Sequence, residues 1–281
     1  MVGDAGGSCD RAAELNAALA AGLRAGYDAA ADDWDGGPGK IYAPLARALV
    51  AVAPVPLAGR LILDVGAGTG VASRAALAAG ASRVVGVDLS EGMLRRGDGG
   101  FPIAADAAAL PFRDGCFDLV LAAFSLNHLE RLETALAEAR RVGGAIAASA
   151  FAPGWTHPAK DVTDAAARSF GYRPPAWYTT LRPGSRAGDP DVLATLAAAA
   201  GFTQVQVTVL AVPTGLATAA ELVSWRLGMA HYAPFLRALD PAGRAALRHV
   251  AEQAVAEQAV AATGPGPLIP LVVSMAVLTA R

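Results

Sequence analysis

Only two cysteines, Cys9 and Cys116, occur in 281 residues, and neither belongs to a CxxC pair or a Cys/His zinc spacing. A disulfide scaffold is thereby excluded, and a reducing, cytoplasmic setting is the expectation. Charge of one sign is also missing, because 23 Lys and Arg against 25 Asp and Glu leave a formal net charge of −2. The chain therefore lacks the basic footprint of a general nucleic-acid binder, although a small local patch is compatible with that balance. Long hydrophobic runs are absent too. The longest, Leu268 to Leu278, is interrupted by Pro270 and Ser274; it is far shorter than the roughly 20 residues of a membrane span and reads as a buried strand. Asp4 stands where an export signal needs positive charge, and no apolar segment follows it. What the chain does have is apolar mass. It is 54% hydrophobic with a mean hydropathy of +0.38, enough for one large domain or one domain carrying a cap.

The first eight or so residues are Gly-rich and read as disordered, with a helix expected over Arg11–Ala25. Tyr27–Lys40 reads as a loop, punctuated by Gly36, Gly37, Pro38 and Gly39, and Tyr42–Ala53 as a second helix stopped by Pro54 and Pro56. The rhythm then becomes strand, turn, helix. Apolar runs occur at Arg60–Val65, Arg83–Val87, Phe101–Ala105, Phe117–Ala122 and Ala145–Phe151, with helices expected up to Ala79, from an N-cap at Ser90 through Arg96, and over Leu132–Val142. Such alternation predicts a Rossmann-like, doubly wound sheet with helices on both faces. After Phe151 the pattern changes to an insert rich in aromatics and proline up to about residue 186. A helix over Asp189–Ala200, a strand over Phe202–Val212, helical residues 218–262 and a closing strand over Ile269–Thr279 follow. The expected whole is a mostly parallel seven-stranded sheet with helical N-terminal and insert elements forming a lid. Its expected divisions are 1–40 as N-terminal lid, 41–153 as cofactor-binding half and 154–281 as substrate-side half.

The sharpest local signal is Asp64-Val65-Gly66-Ala67-Gly68-Thr69-Gly70 between the first strand and a helix. Glycines there let the backbone turn tightly and approach a ligand closely. Val71 stands where a dinucleotide-binding GxGxxG fingerprint carries its last glycine, so a pyrophosphate ligand is disfavoured. Asp88 ends the second strand, where a carboxylate can accept both hydroxyls of a ribose. Asp106 follows the third. Three neighbouring strands thus end in or near an aspartate, a spread that suits a long, polar, cation-bearing ligand.

LILDVGAGTG, VVGVDLSEGML, AADAAALPFRDGCFDLVLAAFSLNHLE and EARRVGGAI together resemble the successive motifs of class I S-adenosylmethionine-dependent methyltransferases, of the small-molecule type related to quinone-biosynthesis methyltransferases. The resemblance covers roughly residues 40–150. It implies S-adenosylmethionine as methyl donor, with S-adenosylhomocysteine as product; the first reading for the acceptor is a small, largely apolar metabolite of the secondary-metabolic kind, methylated at oxygen ahead of carbon or nitrogen. It also implies that Gly66, Ala67, Gly68 and Gly70 border the methionine and ribose, Asp64 helps hold the ammonium, Asp88 binds the ribose, Leu89 and Met93 flank the adenine, Asp106 and Ala107 meet its amino group, and Phe124 borders the sulfonium. Tyr27 would reach the donor's carboxylate. Arg141-Val142-Gly143-Gly144 departs from the family by lacking the proline usual before the glycines.

Methyl transfer from a sulfonium is an in-line displacement on an already activated carbon, so positioning dominates, with a general base needed if the acceptor is a hydroxyl. His128 and His157 are the two candidates, each alternatively an ordinary hydrogen-bonded histidine; His231 is a weaker third, and His249 reads as solvated. Trp155, Tyr172, Trp177, Tyr178, Trp225 and Tyr232 cluster in the two inserts, as an apolar substrate pocket or as the minor core of a lid. No metal, nucleic acid or membrane is expected as partner, and a monomer or homodimer is. Two other readings stand beside methyl transfer: a S-adenosylmethionine-binding protein acting as a non-methylating cyclase or binding module, and, less well supported, an NAD-dependent dehydrogenase.

Overall fold

A computed structural model of the chain describes residues 6–129, 131–181, 186–263 and 270–281. The five apolar runs form parallel strands: β1 (Leu61–Val65), β2 (Arg83–Asp88), β3 (Phe101–Ala104), β4 (Leu119–Ala123) and β5 (Ile146–Phe151). The last two strands, β6 (Gln206–Pro213) and β7 (Val272–Ala280), are antiparallel to each other, and β7 inserts antiparallel beside β5. The sheet order is β3-β2-β1-β4-β5-β7-β6. It is a mostly parallel, seven-stranded, Rossmann-like sheet with one antiparallel hairpin.

Each element has a local cause. β1 and β4 are central and covered on both faces, and Ile62, Leu63, Leu119, Val120 and Leu121 are fully buried, which is why these runs are continuously apolar. Pro102 is tolerated in β3 because that strand is an edge, paired to β2 alone. The helices on one face are α2 (Gly39–Ala51), α6 (Pro158–Ser169), α9 (Ala219–Leu227) and α11 (Pro241–Thr263), packed around Leu45, Leu49, Trp225 and Leu247. α5 (Leu132–Val142) and α8 (Pro190–Ala199) pack the other face through Leu136 and Leu193. Asp189 caps α8 by accepting from Asp191 and Val192 amides, as a residue before an N1 proline should. Among the described residues, no helix is long and apolar enough to cross a membrane.

The N-terminal region differs most from expectation. α1 spans Gly6–Ala30, longer at both ends than the expected Arg11–Ala25, and residues 1–5 lie outside the described residues. The expected loop shrinks to residues 31–38, because Ala30, Ala31 and Trp34 are buried against Met93 and Trp177 and the chain stays ordered across them. Burial outweighs the turn-forming glycines and aspartates there. α1 crosses the carboxyl ends of β1 and β2 and is tied down by Asp28, whose Oδ1 accepts from the Ser90 hydroxyl at 2.6 Å and the Gly92 amide at 2.8 Å. An ion pair joins Asp32 to Arg96 at the end of α4 (Glu91–Arg96). The expected N-cap of α4 is present: Ser90 Oγ accepts from the Met93 amide.

Candidate active site

Between β1 and α3 (Val71–Ala78) the chain turns through Gly66, Gly68 and Gly70 at φ of +72°, +54° and +82°. At Gly66 only hydrogen fits, since a Cβ would stand 2.2 Å from that of Ser125. The turn is pinned to the next strand end by Asp88, whose Oδ2 accepts from the Gly68 amide at 2.9 Å and Oδ1 from the Ser90 amide at 2.8 Å. Burial pushes the Asp88 carboxyl up, against the backbone N–H bonds that favour its charge.

This turn floors a cleft of about 1050 Å³ roofed by α1 and the turn after it. Of the twelve residues expected at a cofactor, nine line the cleft: Tyr27, Gly66, Ala67, Gly68, Asp88, Leu89, Met93, Ala107 and Phe124. Asp64, Gly70 and Asp106 do not. Asp64 lies fully buried beneath the glycine turn, accepting from the Ser73 hydroxyl at 2.6 Å, and burial pushes it up to about 6. Its Oδ1 has no hydrogen-bond partner among the described residues. Gly70 has turned away to cap α3. Asp106 accepts from the Ala108 amide and pairs with Arg131 at 3.3 Å, so that its carboxylate serves its own turn while Ala105 and Ala107 face the cleft.

A second cavity, of about 1410 Å³, lies beside the first and is walled by the inserts. Tyr42 and His128 line both. Phe124 sits at the same divide, its ring 5.4 Å from that of Tyr42 and 4.7 Å from that of Phe151, and it adopts φ +57° although not glycine. Backbone strain of this kind persists only where neighbours over-determine it. Here the Phe124 amide is held by the Ser149 carbonyl and its ring is clamped between two others.

His128, in a single 3-10 turn (Leu126–His128) after β4, receives the Tyr27 hydroxyl at 2.9 Å and the Asn127 amide at 3.2 Å on Nε2. That pattern places the ring proton on Nδ1. Burial pushes the imidazole down to about 4, so it is neutral near pH 7. His157 is elsewhere: its Nδ1 caps α6 by accepting from the Ala159 amide at 3.2 Å, and it lines neither cavity. His231 belongs to a buried polar cluster behind the second cavity. Arg226 donates bidentately to Asp164 at 2.6 and 2.8 Å and to His231 Nε2 at 3.1 Å, so His231 Nδ1–H donates to the Tyr172 hydroxyl at 2.8 Å. Tyr232 completes the cluster by donating to Asp164 at 2.5 Å. Of the aromatic insert residues, Trp155, Trp177, Tyr178 and Trp225 line the second cavity, whereas Tyr172 and Tyr232 are core. The sequence reading did not single out Arg24, Tyr42 and Ser125 on the first cavity, or Lys160 and Arg226 on the second. An arginine inside the apolar stretch Leu222–Met229 was the available signal for one of them.

Residues 63–147 match the family described as Methyltransferase domain. That segment of the chain is similar to known methyltransferase domains. Demethylmenaquinone methyltransferase of Renibacterium salmoninarum is 41% identical over 119 residues, 40% of this chain and 48% of that protein. The ubiquinone/menaquinone biosynthesis C-methyltransferase of Acidiphilium cryptum is 44% identical over 98 residues, 31% of this chain and 39% of that protein. The chain thus spans about half or less of the length of these curated relatives. A putative methyltransferase from an antibiotic biosynthesis pathway of Anabaena variabilis shares the fold, with a TM-score of 0.58 at 17% identity over 83% of this chain and 95% of that one. The matched methyltransferase domain contains the glycine turn, Asp88, Phe124 and His128, and ends before the aromatic insert.

Proposed function

We propose that the chain transfers a methyl group from S-adenosylmethionine to an oxygen of a small, largely apolar acceptor. The observation that carries this reading is the pair of cavities meeting at Tyr42 and His128: one built on a glycine turn and a strand-end carboxylate, the other on aromatic rings.

The residues of the first cleft fit the donor. Asp88 offers a half-buried carboxylate at the end of β2, each oxygen retaining acceptor capacity beyond its one backbone bond. Met93 and Leu89 supply apolar faces for a flat base, the left-handed glycine turn lets the main chain come close, and Tyr27, on α1, directs its hydroxyl to His128. Arg24 is the one arginine on this lining among the described residues and suits a carboxylate. Asp64, with an unpaired oxygen beneath the turn, supports a cationic ligand through its field and through the turn it underlies.

When bound, the donor supplies a sulfonium-activated methyl group that needs no Lewis acid. The chain's own contribution is alignment and exclusion of water: Phe124, Tyr42 and His128 form the wall between the two cavities. His128 acts there as a neutral hydrogen-bonding group rather than a strong base, because its basicity is depressed to about 4. With no strong base at the divide, the acceptor oxygen enters already ionised, so that its methylation leaves no proton to remove; the cavity it enters is lined by the basic side chains Lys160 and Arg226. The Acidiphilium relative is named for transfer to carbon, so the test reads the atom directly. Calorimetry with S-adenosylhomocysteine should show one site per chain. Turnover of a panel of planar phenols and aromatic acids with methyl-carbon-13 donor should place the label at an O-methyl resonance. A label found at carbon would move the acceptor atom; no binding of S-adenosylhomocysteine would remove the reading altogether.

A further inference from the structure

Two indoles in the wall of the second cavity are satisfied differently. Trp155 donates its N–H to the Val272 carbonyl at 2.9 Å, whereas the Trp225 N–H has no hydrogen-bond partner among the described residues. Trp225 is 2% exposed and held by α9 in the core on that face of the sheet, so bulk water does not serve its N–H either. A buried donor left unmet is expensive, and folded proteins rarely keep one without a use. Of the two cavities, the Trp225 side chain borders the second and not the first. A ligand group that meets its N–H therefore belongs to the acceptor, not to the methyl donor. Aromatic rings run from the divide to this indole without a break. Phe124 lies 4.7 Å from Phe151, Phe151 stacks on Trp155 at 4.8 Å and 9°, and Trp155 lies 6.2 Å from Trp225. An indole N–H only donates and brings no counter-charge, so its complement is a neutral acceptor atom. A carbonyl lying in the plane of a conjugated ring system supplies that atom and suits a wall of stacked rings. Conjugation also acidifies the hydroxyl to be methylated, because the electron pair of the ionised oxygen spreads onto the carbonyl oxygen. An acceptor of that kind reaches the divide already ionised, as a site without a strong base requires.

We infer that the second cavity selects an acceptor whose methylated oxygen is conjugated through a planar ring system to a carbonyl, and that the Trp225 N–H donates to that carbonyl oxygen. The inference rests on reading this cavity as the acceptor pocket. Trp225 lies outside the methyltransferase-domain match.

The experiment is calorimetry in saturating S-adenosylhomocysteine with two probes of one shape, 2-acetylnaphthalene and 2-isopropenylnaphthalene, in which a CH2 group replaces the carbonyl oxygen. Because the Trp225 ring is core, the main variant carries 3-benzothienylalanine at position 225, introduced by amber suppression. Sulfur there replaces the N–H at nearly unchanged shape; Trp225→Phe is the second variant. Wild type should bind the ketone about fivefold or more tightly than the alkene, the scale of one hydrogen bond. Both variants should bring the probes within about twofold of each other, chiefly by weakening the ketone. In wild type labelled with nitrogen-15 at its indoles, the Trp225 N–H signal, identified by its loss from the variants, should move downfield with the ketone and not with the alkene. Equal affinities in wild type, no binding of either probe, a preference surviving in the benzothienyl protein, or an unmoved Trp225 signal overturns the inference. S-adenosylhomocysteine titrated alone reports the first cleft separately: its failure in wild type would strike the proposed function, whereas a flat probe comparison with normal titration strikes only the acceptor class.

Discussion

Asp164→Asn tests the energetics of the polar cluster behind the second cavity most directly. The substitution keeps the side chain's shape but removes the charge that Arg226 meets at 2.6 and 2.8 Å and replaces an acceptor by a donor facing a guanidinium N–H. Arg226 is 3% exposed and cannot regain water without opening the packing of α6 on α9. Breaking a buried pair from one side costs about 3–5 kcal/mol, mostly the penalty of the stranded charge. The Tyr232 bond at 2.5 Å can persist to the remaining oxygen and softens the loss at the low end of that range. For a domain of this size the expectation is a fall of roughly 6–10 °C in Tm. Urea unfolding followed by tryptophan fluorescence gives the free energy. The double variant Asp164→Leu, Arg226→Met removes both charges and should recover most of the loss, because the pair as a whole is nearly neutral against an apolar replacement. A single-variant loss below about 1 kcal/mol, or a double variant less stable than the single, would refute the account of a desolvated, mutually dependent pair.

Asp88→Asn should weaken S-adenosylhomocysteine about 10- to 100-fold, the value of a hydrogen bond to a charged group, with little change in circular dichroism; unchanged calorimetric affinity would contradict the role given to Asp88. Gly66→Ala and Gly115→Ala form a matched pair, both at left-handed φ (+72° and +62°), but only the first meets a neighbour, Ser125 Cβ at 2.2 Å. Gly115→Ala should cost about 1–2 kcal/mol and Gly66→Ala clearly more, as read by denaturant midpoints. His128 and Asp64 make opposed contributions to stability against pH. His128, lowered from 6.5 to about 4, contributes stability that is lost as pH falls through that window, and Asp64, raised from 3.8 to about 6, contributes stability that is lost as pH rises through it. Wild-type stability should therefore vary little between about pH 4.5 and 6, and His128→Asn should expose the falling slope of Asp64; a His128→Asn slope equal to wild type would show that the two groups do not offset.

The sheet was legible because its strands are written twice, once as continuous apolar runs and once as the glycines and aspartates that end them. Ser90 announced α4 because an N-cap is a local decision, taken within three residues. The extension of α1 past Ala25 depends on Trp34 and Met93, partners that no local pattern reveals. The three aspartates illustrate the same limit at the site. Period and spacing put Asp64, Asp88 and Asp106 at adjacent strand ends, but whether a carboxylate faces the cleft is settled by one rotation of the chain. Asp88 faces it; Ser73 draws Asp64 below the turn, and Arg131 and the Ala108 amide engage Asp106. His157 looked like a base because it stands among aromatics, yet Pro158 after it signals a helix start, and capping that helix is what it does. Lys160 carried no motif at all. Its interest comes from being buried over Trp155, which only the tertiary arrangement shows.

The two cavities differ in how they are specified, and that difference bears on what similarity can transfer. The first is made of strand ends and the turns that leave them, so its geometry follows from the sheet, and the match to known methyltransferase domains, residues 63–147, covers most of it. The second, apart from Tyr42, Asn127 and His128, is lined from Phe151 onward, four residues beyond that match, by α6, α7 (Ala176–Leu181), α9 and the turns between them. Its residues can change without disturbing Asp88 or the glycine turn, because the two cavities share only Tyr42 and His128. Under the proposed function, Tyr42, His128 and Phe124 in its strained conformation would stand between donor and acceptor, and insert residues such as Trp155 and Trp225 would set which acceptor fits.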